Sequence, residues 1–284
     1  MQPLTIGIIG GSGFYAIEGF QLEEEKTLST PFGDPSDPYV IGSLGGHRVA
    51  FLSRHGRGHR FSPSEVNYRA NIYGFKTLGI KRVLSVSAVG SLKEELKPRD
   101  AVFIDQFFDR TFKRESSYFG EGIIAHASMA EPICSRLQET LYKAAQSLNL
   151  PSHKGGTYVN IEGPHFSTKA ESNFYRSCGF DVIGMTNATE AKVAREAGLC
   201  YATMALVTDY DCWKDEHVTV EMVVENLQSN IHNAQALLKK ALPMVASLSE
   251  DGCRCAKAME NAIITSPNAI PEERAKKLSL LLGK

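Results

Sequence analysis

The sequence predicts an α/β fold, built as a mixed but mostly parallel twisted sheet flanked by helices. Short apolar runs rich in β-branched and aromatic residues alternate with longer stretches of helical periodicity, which is typical of a sheet covered on both faces. No repeat or low-complexity stretch interrupts this alternation. The 284 residues can bury a large core, and this length fits either one large domain or two small ones.

Each predicted strand is a short apolar run, and most of these runs end at glycine, serine or a charged residue. The runs cover residues 4–9, 48–53, 81–87, 101–107, 156–162, 181–185 and 201–208. Helical patterns cover about 64–78, 131–148, 168–178, 188–197 and 217–241. Ser167 and Thr168 follow a Gly-Pro break as candidate caps of the third helix. Segment 251–270 reads as a connection to a last helix that begins near Pro271.

The charge balance favours a small-molecule partner. The chain has 31 basic and 32 acidic residues, so it lacks the basic excess that holds nucleic acid or an anionic membrane. Its start carries no charged targeting region, and no segment approaches the roughly 20 apolar residues of a membrane span. We expect a cytoplasmic protein with neither nucleic acid nor membrane as partner.

Six cysteines are too few and too scattered for a disulfide framework in a chain of this size. None falls in a C-x-x-C pair with partner histidines, so a zinc site is not expected. Cys253 and Cys255 form a C-x-C pair, which reads either as two ordinary thiols near a surface turn or as a redox-active disulfide. The residues leave the oxidation state open.

A glycine-rich loop with Ser12 follows the first strand and could hold phosphate through backbone N–H groups and a hydroxyl. Gly11, Gly13 and Ala16 also match the dinucleotide pattern G-x-G-x-x-A. The next segment, IEGFQLEEE, is acidic without resembling the second strand that a dinucleotide site requires. A tight turn and a dinucleotide site therefore remain open for this loop alone.

Other groups suited to an anion stand where predicted strands end. Arg54 and His55 follow the second run, Ser87 and Ala88 end the third, and Thr186 follows the sixth. Taken alone, the sequence RHGR is more often a solvated basic turn. Because ligands of such sheets bind at the carboxyl ends of the strands, the convergence of these weak signals favours an anion site.

Asp209 and Asp211 stand two residues apart at the end of the seventh run. If the extended geometry continues, both carboxylates point to the same side, and each raises the proton affinity of the other. One acid could then donate a hydrogen bond to N7 of adenine while the other accepts from its 6-amino group. A divalent metal site or an Asx-type turn is the alternative. Phe166 could stack on a base or sugar, although an isolated aromatic is more often part of the core.

The order of these segments resembles the 5′-methylthioadenosine phosphorylases, a branch of the trimeric purine nucleoside phosphorylases, over nearly the whole chain. The resemblance is carried by IGIIGGSG, TPFGDPSD, RHGRGH, VNYRAN, SAVGSL, DQFFDRT, MAEP, IEGPHFS, GMTNATEAKVARE and TDYDCWK. One departure is TNATE, where many relatives have proline before the glutamate.

The resemblance implies a single domain over residues 1–284, with 251–284 as its C-terminal connection and helix, assembled as a homotrimer or a dimer of trimers. It implies phosphorolysis of 5′-methylthioadenosine to adenine and 5-methylthioribose 1-phosphate, with phosphate as co-substrate and neither cofactor nor metal. The implied phosphate ligands are Ser12, Arg54, His55, Ser87, Ala88 and Thr186. The implied substrate contacts are Met185, Phe166, Ser167, Asp209, Asp211, His126, Val220, Val223 and, from an adjacent subunit, Leu281.

The resemblance also extends to the cysteines. The spacing of Cys134 and Cys200, and the C-x-C pair, look like those of relatives from hot environments that carry disulfides.

A broader purine nucleoside or methylthioinosine phosphorylase is the alternative activity. A nucleotide-dependent dehydrogenase and a ligand-binding protein that merely shares the fold are the alternatives from other classes.

Overall fold

A mixed sheet of eleven strands forms the centre of the fold in a computed structural model, which describes residues 3–11, 17–214, 220–249 and 251–283. The strands are β1 (Ile6–Gly10), β2 (Gln21–Lys26), β3 (Tyr39–Leu44), β4 (His47–Ser53), β5 (Arg82–Ser91), β6 (Ala101–Phe103), β7 (Gln106–Asp109), β8 (Ser152–Lys154), β9 (Thr157–Asn160), β10 (Val182–Gly184) and β11 (Cys200–Asp209). Their order is β2-β3-β4-β1-β5-β10-β9-β7, and β11 pairs with β5 and β6. Parallel pairs predominate, which confirms the predicted fold class.

Seven α-helices lie within the described ranges, and the helical segments predicted before residue 250 are confirmed with ends shifted by at most five residues. They are α1 (Tyr68–Thr77), α2 (Ser135–Ser147), α3 (Lys169–Ser177), α4 (Asn187–Glu196), α5 (Val220–Ala246), α6 (Glu272–Lys277) and α7 (Ser279–Leu282). Thr168 rather than Ser167 caps α3, because its hydroxyl accepts from the backbone N–H of Glu171 while the Glu171 carboxylate accepts from the N–H of Thr168. The last helix breaks at Leu278, so the single C-terminal helix was wrong.

Two parts of the sheet differ from the prediction. Residues 101–107 form two strands, because β6 pairs with β11 and β8 whereas β7 pairs with β9 on the other branch of the sheet. The prediction also missed β2, β3 and β8. All six residues of β2 are exposed, so this acidic edge strand lacks the alternation that marks a half-buried strand.

The sheet divides along β5, and this division positions the site. On one side, β1 pairs with β5 only from Arg82 to Ser85, and β10 pairs with it only at Gly90 and Ser91. On the other side, β11 follows β5 from Arg82 to Gly90. Within the described sheet, residues 86–89 therefore have a strand partner on one side only, and their backbone groups on the open side face the space between β1 and β10.

One main apolar core underlies both branches of the sheet. It runs from Ile6 in β1 to Leu278 at the end of α6, and a smaller cluster around Tyr175 lies beneath α3. Burial of each large apolar side chain stabilises the fold by about 1.5 to 3 kcal/mol, so this core holds the strand ends in fixed positions. None of the helices in the described ranges is long and apolar enough to cross a membrane.

Candidate active site

Arg54 is buried directly after β4 and forms an ion pair with Glu190 of α4. Its Nε donates to Glu190 Oε1, and its Nη2 donates to Glu190 Oε2 over 3.1 Å and to Ser85 Oγ over 2.7 Å. Its Nη1 donates to the carbonyl of Val86 over 3.0 Å, on the open side of β5. The solvated basic turn is therefore wrong for Arg54, although it fits the half-exposed Arg57.

One N–H of the Arg54 guanidinium has no hydrogen-bond partner among the described residues. A guanidinium has five N–H donors, and the partners of Arg54 in the described part of the chain accept from four of them. Glu190 also accepts from the Tyr201 hydroxyl over 2.7 Å and from Ser85 Oγ over 2.9 Å. This network fixes the orientation of Arg54 and leaves one Nη1–H without a partner in the described part of the chain.

His55 is the neighbouring cation candidate, but it is neutral near pH 7. Burial, followed by the positive charge of Arg54, lowers the pKa of His55 to about 4. Its Nδ1 lies 2.8 Å from the carbonyl of Phe61, a pure acceptor, so Nδ1 carries the hydrogen. The ring stacks on His59 at 4.3 Å between centroids, and its Nε2 is left as a hydrogen-bond acceptor.

We expect His55 to make the protein less stable in acid. The pKa of His55 is about 4 in the folded chain and about 6.5 in an unfolded chain, so the unfolded state binds more protons between these values and stability falls as pH falls. Urea unfolding measures this effect. Between pH 7 and pH 4.5, the wild-type protein should lose about 2 to 3 kcal/mol more of its free energy of unfolding than His55→Gln does. His165→Gln, at an exposed site, should keep the wild-type loss. An unchanged loss in His55→Gln would contradict the buried neutral state.

Ser87 and Thr186 both lie close to the Tyr158 side chain. The buried Tyr158 hydroxyl of β9 lies beside both the Ser87 side chain and the Thr186 backbone. Thr186 precedes the first residue of α4, and its hydroxyl does not cap that helix. Because a helix N-terminus carries partial positive charge and free N–H groups, this position suits an anion.

A cavity of about 110 Å³ lies next to these groups and contains six of the predicted substrate or phosphate residues. They are Ala88, Met185, Phe166, Ser167, Asp209 and Asp211. Sequence analysis missed the apolar part of its wall, Val89, Ile161 and Ile183, because these side chains resemble any other strand interior. Ala88 follows Ser87 and Met185 precedes Thr186, so the cavity adjoins the anion groups. Phe166 is more than half exposed and covers the cavity, so it is not a core residue.

Asp209 and Asp211 are buried at the end of β11 and both line the cavity, but not through an extended strand. Asp211 has a left-handed backbone with φ of 52°. Its N–H donates to Asp209 Oδ1 over 2.8 Å, which is an Asx-type turn. The expected extended geometry was therefore wrong, and the turn brings the two carboxyl groups together instead.

The pKa of Asp209 is raised by burial. The pKa of Asp211 is raised by burial and then by the charge of Asp209. Thr208 Oγ1 lies 2.7 Å from Asp209 Oδ2 and 3.2 Å from the carbonyl of Val89, but it has only one hydrogen. Both contacts are satisfied if Thr208 donates to Val89 and a protonated Asp209 donates to Thr208. The arrangement therefore accommodates the neutral acid.

Two glycines allow close packing beside the cavity: Gly90 lies next to Asp209, and Gly184 lies next to the Tyr158 hydroxyl. A Cβ at Gly90 would lie 3.0 Å from both Asp209 Oδ1 and Ile183 Cγ2. A Cβ at Gly184 would lie 1.9 Å from the Tyr158 hydroxyl. Gly184 therefore leaves no room for a side chain unless Tyr158 moves, and a side chain at Gly90 would require Asp209 or Ile183 to shift by a few tenths of an ångström.

Arg114 is a further residue that sequence analysis missed. Its side chain is buried, its Nη1 donates to the carbonyl of Met185, and its Nη2 donates to the carbonyl of Glu162 over 2.7 Å. The cation thereby ties the loop after β9 to the end of β10. The only sequence signal is a single arginine in a polar stretch, with no spacing that links it to Met185.

The other predicted site residues lie away from the cavity or outside the described residues. Ser12 falls in the undescribed residues 12–16. Val220 and Val223 belong to the first turn of α5, and their side chains are outside the described part of the chain. His126 is exposed on a loop, where its N–H donates to the carbonyl of Ala262 over 2.9 Å. Leu281 is half-buried against the chain's own core.

Known proteins share this architecture over nearly its full length. The model of the phosphorylase superfamily matches residues 5–243. The S-methyl-5′-thioadenosine phosphorylase of Koribacter versatilis is 54% identical over 98% of this chain and 96% of its own. The crystal structure of a methylthioadenosine phosphorylase from an Antarctic soil metagenomic library has a TM-score of 0.93 at 46% identity and covers 99% of both chains. A mutant adenosine/methylthioadenosine phosphorylase of Schistosoma mansoni, in complex with methylthioadenosine, has a TM-score of 0.84 at 35% identity and covers 99% of this chain and 98% of its own.

Proposed function

Because the chain belongs to the phosphorylase superfamily, we propose that it cleaves 5′-methylthioadenosine with inorganic phosphate. The products are adenine and 5-methylthioribose 1-phosphate, a reaction of purine and methionine salvage. The proposed reaction uses no cofactor, and phosphate is its second substrate. It is a pentosyl transfer in the cytoplasm.

One observation carries this proposal, the buried acid pair that shares a cavity with Ala88 and Met185, next to the anion groups. A nucleoside phosphorylase must hold a purine and a phosphate on opposite sides of one ribose carbon. The acids of the turn after β11 are suited to the base. Ser87, at the open side of β5, and Thr186, at the start of α4, are suited to phosphate.

The phosphate would be held by fixed donors and one acceptor. The donors would be the remaining Nη1–H of Arg54, the hydroxyl groups of Ser87 and Thr186, and the N–H groups at the start of α4. The N–H of Ala188 is excepted, since it donates to Asn160 Oδ1. The neutral His55 has a free Nε2, which suits the single hydrogen of the HPO₄²⁻ dianion. Since these groups are held before phosphate arrives, little reorganisation is needed as negative charge moves toward the sugar.

On the side of the purine base, Asp209 would act as the general acid. As the bond from C1′ to N9 breaks, the ribose carbon gains oxocarbenium character and the base gains negative charge. The Asp209 hydrogen would turn from Thr208 to N7 of the bound base. Its donation lets adenine leave as a neutral molecule, while a phosphate oxygen bonds to C1′. Asp211 would accept from the 6-amino group. A raised pKa is what a carboxyl donor needs near neutral pH, and burial of Asp209 supplies it.

Release of free base tests the proposal. Purified protein is assayed with methylthioadenosine, adenosine, methylthioinosine and inosine, each with and without phosphate. We expect phosphate-dependent release of adenine, fastest from methylthioadenosine. Release without phosphate would identify a hydrolase, and no release from any of the four would favour a ligand-binding protein.

A phosphorylase that also accepts adenosine is the second candidate. It is favoured by the similarity to the adenosine/methylthioadenosine phosphorylase of Schistosoma mansoni. The two candidates differ only at the 5′ end of the ribose, where an apolar pocket distinguishes methylthio from hydroxyl by roughly 1 to 3 kcal/mol. The ratio of kcat/KM for the two substrates decides between them.

We further propose that the chain assembles as a homotrimer or a dimer of trimers. Ile124 and Ile264 are large apolar residues that are more than half exposed, and they lie side by side through a backbone hydrogen bond of 3.0 Å. His126 follows on the same loop, away from the chain's own cavity. In an assembly, this loop would be placed against a neighbouring subunit and His126 near that subunit's substrate.

A further inference from the structure

Four of the six cysteines lie close together in the fold. They come from three segments that are far apart in sequence. Their Sγ atoms all lie within 4.8 Å of one another. Cys134 directly precedes α2, Cys200 begins β11, and Cys253 and Cys255 lie on the C-terminal segment. Within the described residues this is the one group of metal-ligating side chains gathered so closely.

The two sulfur–sulfur distances at Cys253 are nearer to those of a shared metal site than to those of a disulfide bond. Cys253 Sγ lies 3.3 Å from Cys200 Sγ and 4.0 Å from Cys134 Sγ. A tetrahedral zinc ion with Zn–S bonds of about 2.3 Å separates its sulfur ligands by roughly 3.8 Å. Disulfide bonds would instead set two pairs at about 2.05 Å and leave each sulfur with one partner. Cys253 approaches two other thiols at once, which favours shared coordination.

The surroundings can accommodate the charge of such a site. Four thiolates around Zn²⁺ carry a net charge of two minus, and Arg195 Nη1 lies 3.9 Å from Cys255 Sγ. The cluster opens onto a cavity of about 280 Å³ with further basic residues in its wall, Lys76, Lys81, Arg82 and Arg136. Cys134 and Cys255 are buried, and Cys200 and Cys253 are partly exposed to this cavity. An ion can therefore enter, and the site is shielded once filled.

We propose that Cys134, Cys200, Cys253 and Cys255 form a structural zinc site. Sequence analysis expected no zinc because no C-x-x-C pair is present, but the fold brings three separate segments together. On binding, the thiol groups release their protons and four Zn–S bonds form, with no change in oxidation state. All four positions are taken by sulfur, as in structural rather than catalytic zinc sites.

The site would fasten the C-terminal segment to the α/β core. Beyond Cys255, that segment pairs with the loop before α2: Ala125 bridges Ile263, and the His126 N–H donates to the carbonyl of Ala262. Zinc would therefore also order the loop that carries His126. This consequence does not depend on the proposed substrate.

Zinc content and cobalt spectroscopy of the full-length protein test the site. Protein purified in reductant without chelator should contain one zinc per chain. Exchange for Co²⁺ should give the intense visible bands of tetrahedral cobalt and a near-ultraviolet thiolate charge-transfer band. Cys253→Ser should lose the metal, whereas Cys253→His should retain it with a shifted cobalt spectrum. Cys178→Ser, an exposed cysteine outside the cluster, should bind as the wild type does.

Two outcomes would overturn the proposal, and neither depends on a variant that folds. Intact mass lower by four hydrogens, with no zinc, would identify two disulfides. Reduced wild-type protein with six reactive thiols and no cobalt spectrum would show that the thiols bind no metal. Activity is measured separately, so a failed zinc site and a failed phosphorylase assignment are distinguishable.

Discussion

Replacing Glu190 with alanine is expected to lower the free energy of unfolding by about 3 to 5 kcal/mol, because it leaves the buried Arg54 cation without its counter-charge. The Tyr201 hydroxyl and Ser85 would lose their shared acceptor as well. Urea unfolding at pH 7 measures this loss. Phosphate-dependent turnover should fall together with stability, since Arg54, a proposed phosphate donor, would lose the contacts with Glu190 that fix its orientation.

Two control variants separate the cost of leaving a buried charge unpaired from the cost of losing an ion pair. Glu23→Ala breaks the exposed pair with Arg48 and should cost less than about 1 kcal/mol. The double change Arg54→Met with Glu190→Leu removes both buried charges and should be clearly more stable than Glu190→Ala alone. A Glu190→Ala protein as stable as Glu23→Ala would mean that Arg54 is hydrated, contrary to the structure.

Replacing Asp209 with asparagine is expected to lower kcat/KM for methylthioadenosine by about a hundredfold or more, because proton donation by a placed acid contributes roughly 10² to 10⁴. Turnover of inosine-type substrates should rise relative to adenosine-type ones, since an amide N–H₂ can donate to O6. The four-nucleoside assay measures both changes. An unchanged base preference would contradict the assignment of Asp209 to the base.

The pH dependence adds an independent check on Asp209. Its pKa is raised by burial, and the proposed role needs the protonated form, so wild-type kcat/KM should fall as pH rises through that pKa. Asp209→Asn should lack this fall. Asp34→Asn, at an exposed site, should keep the wild-type profile and rate.

Much of the site could be predicted because its groups follow apolar runs, and strand ends converge in an α/β sheet. Asp209 and Asp211 were placed together on this ground, although a turn rather than a strand joins them. The partner of Arg54 could not be found in this way, since Glu190 lies 136 positions away in the chain. The cysteine cluster was missed for the same reason, because spacing in sequence says nothing about segments joined only by the fold.

The division of the sheet at β5 also bears on how the family could diversify. A backbone carbonyl of residues 86–89 is present whatever side chain the codon specifies, and a backbone N–H is lost only by mutation to proline. The turn that carries Asp209 and Asp211 lies at the end of a different strand, and a side-chain oxygen of Asp209 closes it by accepting from the Asp211 N–H. On the proposed assignment of Asp209 and Asp211 to the base, selection can retune the choice of base by single substitutions while the main-chain part of the site is retained.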